Sequence, residues 1–221
     1  MTEIELRIRL APSLADVPAA DWDACSGQSA HRHEADGPLL AVEGDLLSPE
    51  LSTRGHVDNP FISHSFLHAL EQSHSVGARS GWQPRHLLAE NADGTLMGAA
   101  PCYVKTHSQG EYVFDHGWAE AFDHAGGDYY PKLQVAAPFT PVTGPRLLAR
   151  PGPLAHDVRG ALGDALAEIT TTNGLSSAHV TFLTEPEWNL LGERGFLQRT
   201  DQQFHWENAG YATFEDFLAA L

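Results

Sequence analysis

The chain has 221 residues and a formal net charge of −16, because 29 Asp and Glu residues outnumber 13 Lys and Arg residues. This acidic balance argues against DNA or long RNA as a partner, since binding to a nucleic-acid backbone requires a basic face. We expect a cytoplasmic protein without a disulfide framework or a membrane span, because it has two cysteines, no apolar leader in MTEIELRIRL and no apolar run of membrane length.

The first quarter of the chain predicts a strand, a helix and a long insertion. Alternating apolar residues in EIELRIRL, residues 3–10, predict a half-buried strand. Pro18 in a first turn and an inward-facing Trp22 predict a helix from Val17 to Cys25. Residues 27–57 are rich in Gly, Pro, Ser, His and acidic residues and have weak periodicity, so we interpret them as a flexible insertion.

Order resumes with a helix in NPFISHSFLHALEQSHSVG, which we expect to end near Gly77. A hairpin follows, because PRHLLAE and TLMGAAPCYVKT flank the turn sequence NADG. EYVF and TPVTGPRLL are two further predicted strands. Leu154, Val158, Leu162 and Leu166 then recur at helical spacing and predict a long helix from Pro153 to about Thr172.

The last part of the chain predicts two strands and two capped helices. SAHVTFL alternates as a strand, and TEPE is a capping box that begins a short helix. FLQRTDQQFHW is a further predicted strand. Thr213 and Asp216 cap a final helix, FEDFLAAL, which begins an apolar stripe. The whole order predicts an α/β fold with a mixed sheet.

Residues 110–134, GEYVFDHGWAEAFDHAGGDYYPKLQ, contain two Asp-His pairs eight positions apart. A metal site requires three or four converging ligands, but adjacent Asp and His side chains point in different directions, so we expect no metal here. We expect a loop and short helix that cover a cleft, in which Asp115 or His116 accepts a proton from an amine. The residues expected to bind this substrate are Trp118, Tyr129, Tyr130 and Lys132.

Two other histidine groups are weaker metal candidates. His64 and His68 are four residues apart on a predicted helix, but the glutamate of a zinc protease motif is missing. His31, His33 and Glu34 lie in the insertion, where a flexible loop does not preorganise ligands. We therefore expect no metal at either place.

The strand TPVTGPRLL contains Pro141 and Pro145, which cannot donate hydrogen bonds within a sheet. They mark an edge, a bulge or a strand that splays from its neighbour. In the splayed arrangement Thr140, Thr143 and Gly144 would line a cleft. In the alternative, these residues only bend an edge strand.

Four runs carry a resemblance to the FemAB-like branch of the GNAT acyltransferases: NPFISHSFLHALEQSHSVGARSGWQPRHLLAE, GAAPCYVKTHSQGEYVFDHGWAEAF, YYPKLQVAAPFTPVTGPRLL and FLQRTDQQFHWENAGYATFEDFL. The resemblance extends from Asn59 to Leu221. It implies a GNAT-like mixed sheet flanked by helices, as the first half of a tandem arrangement. It also implies transfer of an acyl or aminoacyl group from a thioester or ester carrier to an amine.

The implied co-substrate is acyl-CoA or an aminoacyl carrier, with no permanently bound cofactor, and the acceptor is a small molecule or a cell-wall precursor. In GNAT enzymes the CoA pyrophosphate binds at a Gly-rich turn before a helix. The matching turn here, LARPGP, carries Arg150 and Gly152, but it lacks the usual Q/R-x-x-G-x-G/A pattern. A helix entry stiffened by proline is the alternative. Backbone N–H groups near residues 142–144 would polarise the acyl carbonyl.

We divide the chain into residues 1–26, the first strand and helix of the GNAT-like domain; 27–57, the insertion; 58–208, the rest of the domain; and 209–221, a truncated helix that leads to a missing second domain. Residues 214–221 could support self-association through their apolar side chains. The alternative function is a non-catalytic module that binds the acceptor or braces the second domain and is inactive without it.

Overall fold

The computed structural model describes residues 5–27 and 59–221. The predicted insertion, with its His31, His33 and Glu34, therefore lies outside the described residues apart from its first residue. The strands are β1 Arg7–Ala11, β2 Trp82–Pro84, β3 His86–Glu90, β4 Leu96–Ala100, β5 Cys102–Lys105, β6 Lys132–Val135, β7 Leu148–Ala149 and β8 Ala178–Val180. The helices are α1 Ala19–Ser26, α2 His64–Gln72, α3 His116–His124, α4 Ala155–Thr172, α5 Glu185–Glu193 and α6 Phe214–Ala219.

The strands form two four-stranded sheets, in the orders β1-β3-β4-β7 and β2-β5-β6-β8. The sheets meet at a bend, where the amide of Arg85 donates to the carbonyl of Cys102 over 2.8 Å and the amide of Ala136 donates to the carbonyl of Pro101 over 3.2 Å. The predicted NADG turn closes the β3-β4 hairpin. The mixed α/β class is confirmed, and two sheets flanked by helices are consistent with the GNAT-like arrangement.

The first sheet is covered on both faces. Leu88, Ala99 and Leu148 pack with Trp22 of α1 and Leu67 of α2. The opposite face packs against α4, and its residues include Leu87, Ala89, Ala100 and Ala149. Because side chains alternate along a strand, these two sets come from the same strands and face opposite ways.

The second sheet has one apolar and one polar face. Its apolar residues pack against the same core as α4: Cys102, Val104, Leu133, Val135, Ala178 and Val180. The residues between them point to the other side by the same alternation. This polar face carries Tyr103, Lys105, Lys132, Gln134 and His179.

Three predicted strands are wrong in whole or in part. EYVF is not a strand, because Tyr112 has a φ of 56° and interrupts the extended run. TPVTGPRLL forms a strand only at its end, in β7, and Pro141 and Pro145 lie in the irregular part. FLQRTDQQFHW, residues 196–206, is not a strand, since its side chains are mostly exposed and have no sheet to pack against.

The predicted helices are confirmed, including both capping boxes, but α2 ends at Gln72 and not near Gly77. The helix predicted over Val17–Cys25 begins at Ala19, and the long helix α4 ends at Thr172 as expected. Among the described residues, no helix combines the length and the apolarity needed to span a bilayer.

Glu187 of α5 fixes the irregular segment between β6 and β7, residues 136–147, which we call the excursion. Its Oε1 accepts hydrogen bonds from the amides of Arg146 and Leu147, at 2.8 and 2.7 Å. Its Oε2 accepts from the amide and hydroxyl of Thr184 within the capping box. The side chain is buried, so its removal leaves buried N–H groups without an acceptor.

We expect Glu187→Ala to lower the free energy of unfolding by about 2–4 kcal/mol, because each orphaned buried donor costs about 1–3 kcal/mol. Urea unfolding measures this change. Glu185→Ala, in the same first turn but exposed, is the matched control and should change stability by less than about 1 kcal/mol. Equal urea midpoints for the two variants would contradict this role of Glu187.

Candidate functional site

Residues 106–131, including α3, lie over the polar face of the second sheet, and we call them the cap. The cap contacts this face mainly through Lys132 of β6, which has no solvent exposure. Nζ of Lys132 donates to Ser108 Oγ at 2.8 Å, to Glu111 Oε2 at 2.9 Å and to Asp115 Oδ2 at 2.7 Å. Three acceptors match the three hydrogens of an ammonium group, so its hydrogen-bonding capacity is filled.

Lys105 lies beside Lys132 in the register of the two strands. Its Nζ lies 3.8 Å from the ring centroid of Trp82 and donates to the carbonyl of Gln109 at 3.1 Å. Oε1 of Glu111 is 4.0 Å away. Burial lowers the pKa of Lys105, and the charge of Glu111 opposes this shift.

Asp115 is buried and holds the cap to the sheet. Its Oδ2 also accepts hydrogen bonds from Ser108 Oγ at 2.8 Å and from Tyr129 Oη at 2.9 Å. Burial raises the pKa of Asp115, but hydrogen bonds from Lys132, Ser108 and Tyr129 outweigh it, so the pKa lies below its ordinary value. Asp115 is therefore ionised at neutral pH.

Two carboxylate oxygens of this cluster have no hydrogen bond within the described part of the chain, namely Glu111 Oε1 and Asp115 Oδ1. Burial raises the pKa of Glu111, although Lys132 acts in the opposite direction. Gln134 Oε1, on the same face of the sheet, is likewise unpaired among the described residues. The layer beneath the cap is thus rich in acceptors.

His179 of β8 lies on this polar face, and sequence reasoning missed it. Its Nε2 is 2.9 Å from Ser177 Oγ, and its ring lies edge-on to that of Tyr129, with centroids 5.9 Å apart. The alternation of SAHVTFL indicates that His179 faces away from the apolar core. The cap covers that face, and the alternation of a strand does not predict which residues of another segment will cover it. The sequence therefore offers no reason to place His179 beside the cap.

The outer surface of the cap carries exposed aromatic residues. Trp118 is 49% exposed, and α3 has no buried residue. The guanidinium carbon of Arg199 lies 4.9 Å from the Trp118 ring centroid. Arg199 belongs to residues 196–206, which we call the strap. The strap also reaches the excursion, since Gln203 Nε2 donates to the carbonyl of Pro141 at 2.8 Å.

The structure separates the predicted site residues into three places. Asp115, Tyr129, Tyr130 and Lys132 come together, and Tyr130 Oη lies 2.7 Å from Ser108 Oγ. His116 and Trp118 lie on the exposed side of the cap, where no described residue forms a hydrogen bond with the His116 ring.

The excursion holds the second predicted group. Thr140 is half-buried and donates to the carbonyl of Pro138 at 3.0 Å, while Thr143 is exposed. The amide of Gly144 donates to the carbonyl of Phe182 at 2.9 Å. The Gly144 N–H is therefore already bonded in this structure, and polarisation of a carbonyl by backbone N–H groups near residues 142–144 stays a prediction.

The turn before α4 holds the third group. The Arg150 guanidinium donates to the carbonyl of Leu96 at 2.5 Å and to Asp21 Oδ1 at 2.7 Å. It therefore faces the first sheet and α1. Gly152 is exposed and has a φ of +149°, and no side chain caps the start of α4.

No group of His, Cys, Asp and Glu residues suited to a metal ion occurs in residues 5–27 and 59–221. His64 is held structurally, since its Nε2 lies 3.0 Å from the carbonyls of both Leu14 and Val17. Its ring is 5.3 Å from that of His68.

Comparison with protein families gives one match. A family profile named FemAB-like, described as peptidoglycan biosynthesis/recognition, matches residues 13–221. Neither the curated proteins nor the solved structures contain a match to this chain.

We expect Asp115→Asn to destabilise the protein by about 3 kcal/mol at neutral pH, because it breaks a buried ion pair. The folded-state pKa of Asp115 lies below its ordinary value of 3.8. Its contribution is therefore complete well above pH 3.8 and is lost as pH falls through the folded-state pKa. Urea unfolding at several pH values should show the difference from wild type narrowing in acid.

The matched control is Asp123→Asn, an exposed aspartate on α3. It should change stability by less than about 0.5 kcal/mol at every pH. A destabilisation by Asp115→Asn that does not vary with pH would contradict the ionised, hydrogen-bonded state of Asp115.

Proposed function

This chain belongs to the FemAB-like family, and we propose that it transfers an acyl or aminoacyl group from a thioester or ester carrier to an amine of a peptidoglycan precursor. The observation that best supports this proposal is the buried cluster of Lys132, Asp115 and Glu111 beneath the cap. An ionic cluster of this kind fixes the position of the cap over the sheet. The cap in turn places the ring of Tyr129 edge-on to the part-exposed ring of His179.

The acceptor amine binds on the outer side of the cap. Trp118 already receives a guanidinium group, that of Arg199, so its ring offers a surface suited to a cation. Tyr130 is part-exposed and its hydroxyl is oriented by Ser108. Tyr129 and Lys132 are buried, and their role is to hold the cap in place.

Asp115 and His116 have different roles in this proposal. The carboxylate of Asp115 is buried, ion-paired with Lys132 and bonded to three donors, so it holds the cap in place beside the amine. His116 is exposed at the start of α3 and lies on the side of the cap where we place the amine.

The carrier approaches from the excursion and the turn before α4. Thr140 and Thr143 would line the path of the acyl group. If the carrier is CoA, backbone N–H groups at Gly152 and the uncapped start of α4 would hold its pyrophosphate. Arg150 would take part only after leaving Asp21.

A second candidate is an acceptor-binding module that leaves the chemistry to a second acyltransferase domain. One observation favours it: Arg150 is engaged in an ion pair, and two prolines reduce the N–H groups of its turn. This candidate predicts acceptor binding without transfer by this chain.

The proposed function is tested by incubating the chain with a labelled acyl-CoA or an aminoacyl carrier and a precursor peptide that bears a free side-chain amine. Mass spectrometry detects the amide product. Product formation supports the transferase. Peptide binding without product from any donor supports the binding module, and the absence of both would overturn the two candidates.

Trp118→Ala should raise the KM for the acceptor about tenfold, because a cation on an indole ring contributes about 1–2 kcal/mol, while kcat remains unchanged. Arg199→Ala should lower this KM, since it vacates the ring. Phe114→Ala, an 80% exposed aromatic residue of the cap, is the control and should leave KM unchanged. Equal KM values for all three variants would contradict the assignment of Trp118.

A further inference from the structure

His179 is the place where the polar face of the second sheet reaches solvent. Its neighbours on this face, Tyr103, Lys105, Lys132 and Gln134, are all buried, whereas His179 is part-exposed. His179 therefore lies between the ring of Tyr129 in the cap and solvent.

The serine contacts on one side of His179 are compatible with a lone pair on Nδ1. Ser176 Oγ donates its single hydrogen to the carbonyl of Tyr129 at 2.5 Å. Ser177 Oγ is 3.3 Å from Ser176 Oγ and 2.9 Å from His179 Nε2. When Ser177 donates its hydrogen to Ser176, it accepts the N–H of Nε2 and Nδ1 keeps a lone pair; when it donates to Nε2, Nδ1 carries the hydrogen. Nδ1 forms no hydrogen bond with any described residue.

The charges around His179 keep this imidazole neutral. The groups that face it are Ser177 just before its own strand, Lys132 and Gln134 on β6, Tyr129 and Asp115 of the cap, and Arg199 of the strap. Burial and the charges of Lys132 and Arg199 together lower the pKa of His179 to about 4, and the charge of Asp115 opposes them. The ring is therefore unprotonated at neutral pH.

We propose that Nδ1 of His179 is the proton acceptor for the amine during acyl transfer, an inference that rests on the proposed function. The ammonium group first loses one proton to solvent, and the neutral amine nitrogen then forms a bond to the acyl carbon. The bond from that carbon to the carrier sulfur or oxygen breaks, with its electron pair going to the carrier. The proton lost by the nitrogen passes to Nδ1 and then to the departing carrier atom. The products are an amide and the free carrier thiol or hydroxyl.

His179 suits this role better than the two residues expected from the sequence. Asp115 is buried and its Oδ2 is already bonded to three donors. His116 is exposed and has no orienting partner among the described residues. His179 combines partial exposure, neutrality and an Nδ1 that forms no hydrogen bond with any described residue.

The tautomer is tested first, by nitrogen NMR of the protein labelled with ¹⁵N-histidine at neutral pH. The His179 signals are assigned by their loss in His179→Gln, whose side-chain amide can still donate to Ser177. We expect an unprotonated Nδ1 and a protonated Nε2. A protonated Nδ1 would overturn the inference regardless of activity.

Transfer kinetics test the role itself. His179→Gln should lower kcat at least about 100-fold with little change in the KM for the acceptor, as expected for loss of a general base. Ser177→Ala should mix the two tautomers and lower kcat about 2–10-fold, the effect of one hydrogen bond. Ser177→Thr should restore both kcat and the tautomer. His124→Gln, an exposed histidine of α3, is the matched control and should retain wild-type activity.

The outcomes separate the two proposals. An active wild type with an equally active His179→Gln overturns the role of His179 and leaves the transferase intact. An inactive wild type with every donor overturns the transferase and the base together. Loss of activity in both His179→Gln and His124→Gln would also contradict a specific role for His179.

Discussion

Burial of the Lys132 ammonium group is the constraint on which the rest of the site depends. A charge without solvent exposure is tolerated only when it is paired and fully hydrogen-bonded. Lys132 meets this requirement with three oxygens that all come from the cap. The sheet therefore determines where the cap lies. The position of the cap in turn determines where Trp118 lies and how far His179 of β8 is covered.

The two-faced second sheet explains how one domain provides both a core and a site. One side of β5, β6 and β8 packs against the apolar core around α4, and the other carries lysines, a glutamine and a histidine. Glu187 accepts a hydrogen bond from the amide of Arg146 in the excursion, and Gln203 of the strap donates one to the carbonyl of Pro141 in the same segment. The core and the candidate site thus share the same strands, and a variant of the buried cluster must be tested for folding as well as for activity.

Elements with a strong local signal could be predicted from the sequence. The periodicity of α4, both capping boxes and the NADG hairpin depend on residues close together in the chain, and the structure has all of them. The strands predicted at EYVF and FLQRTDQQFHW failed because alternation alone does not supply a pairing partner. β6 was missed, although Lys132-Leu-Gln-Val135 alternates polar and apolar residues.

The candidate site was predictable only in part, for a similar reason. The residues from Asp115 to Lys132 lie close together in the chain, so their grouping was visible. Glu111, Lys105 and His179 joined them through sheet pairing and cap burial, which are long-range contacts. A long-range contact also separates Arg150 from the other predicted site residues. This predicted cofactor-binding residue forms an ion pair with Asp21, far away in the sequence, and its side chain faces the first sheet.

The most direct test of this account is to locate the bound acceptor. The chain has five tryptophans, and each gives one indole N–H signal in nitrogen-labelled protein. Titration with a peptidoglycan stem peptide that bears a free side-chain amine should shift the Trp118 signal and leave that of Trp206 unchanged. A shift of Trp206, which lines an exposed cavity of about 520 Å³ with Phe214 and Phe217, without a shift of Trp118 would contradict the account.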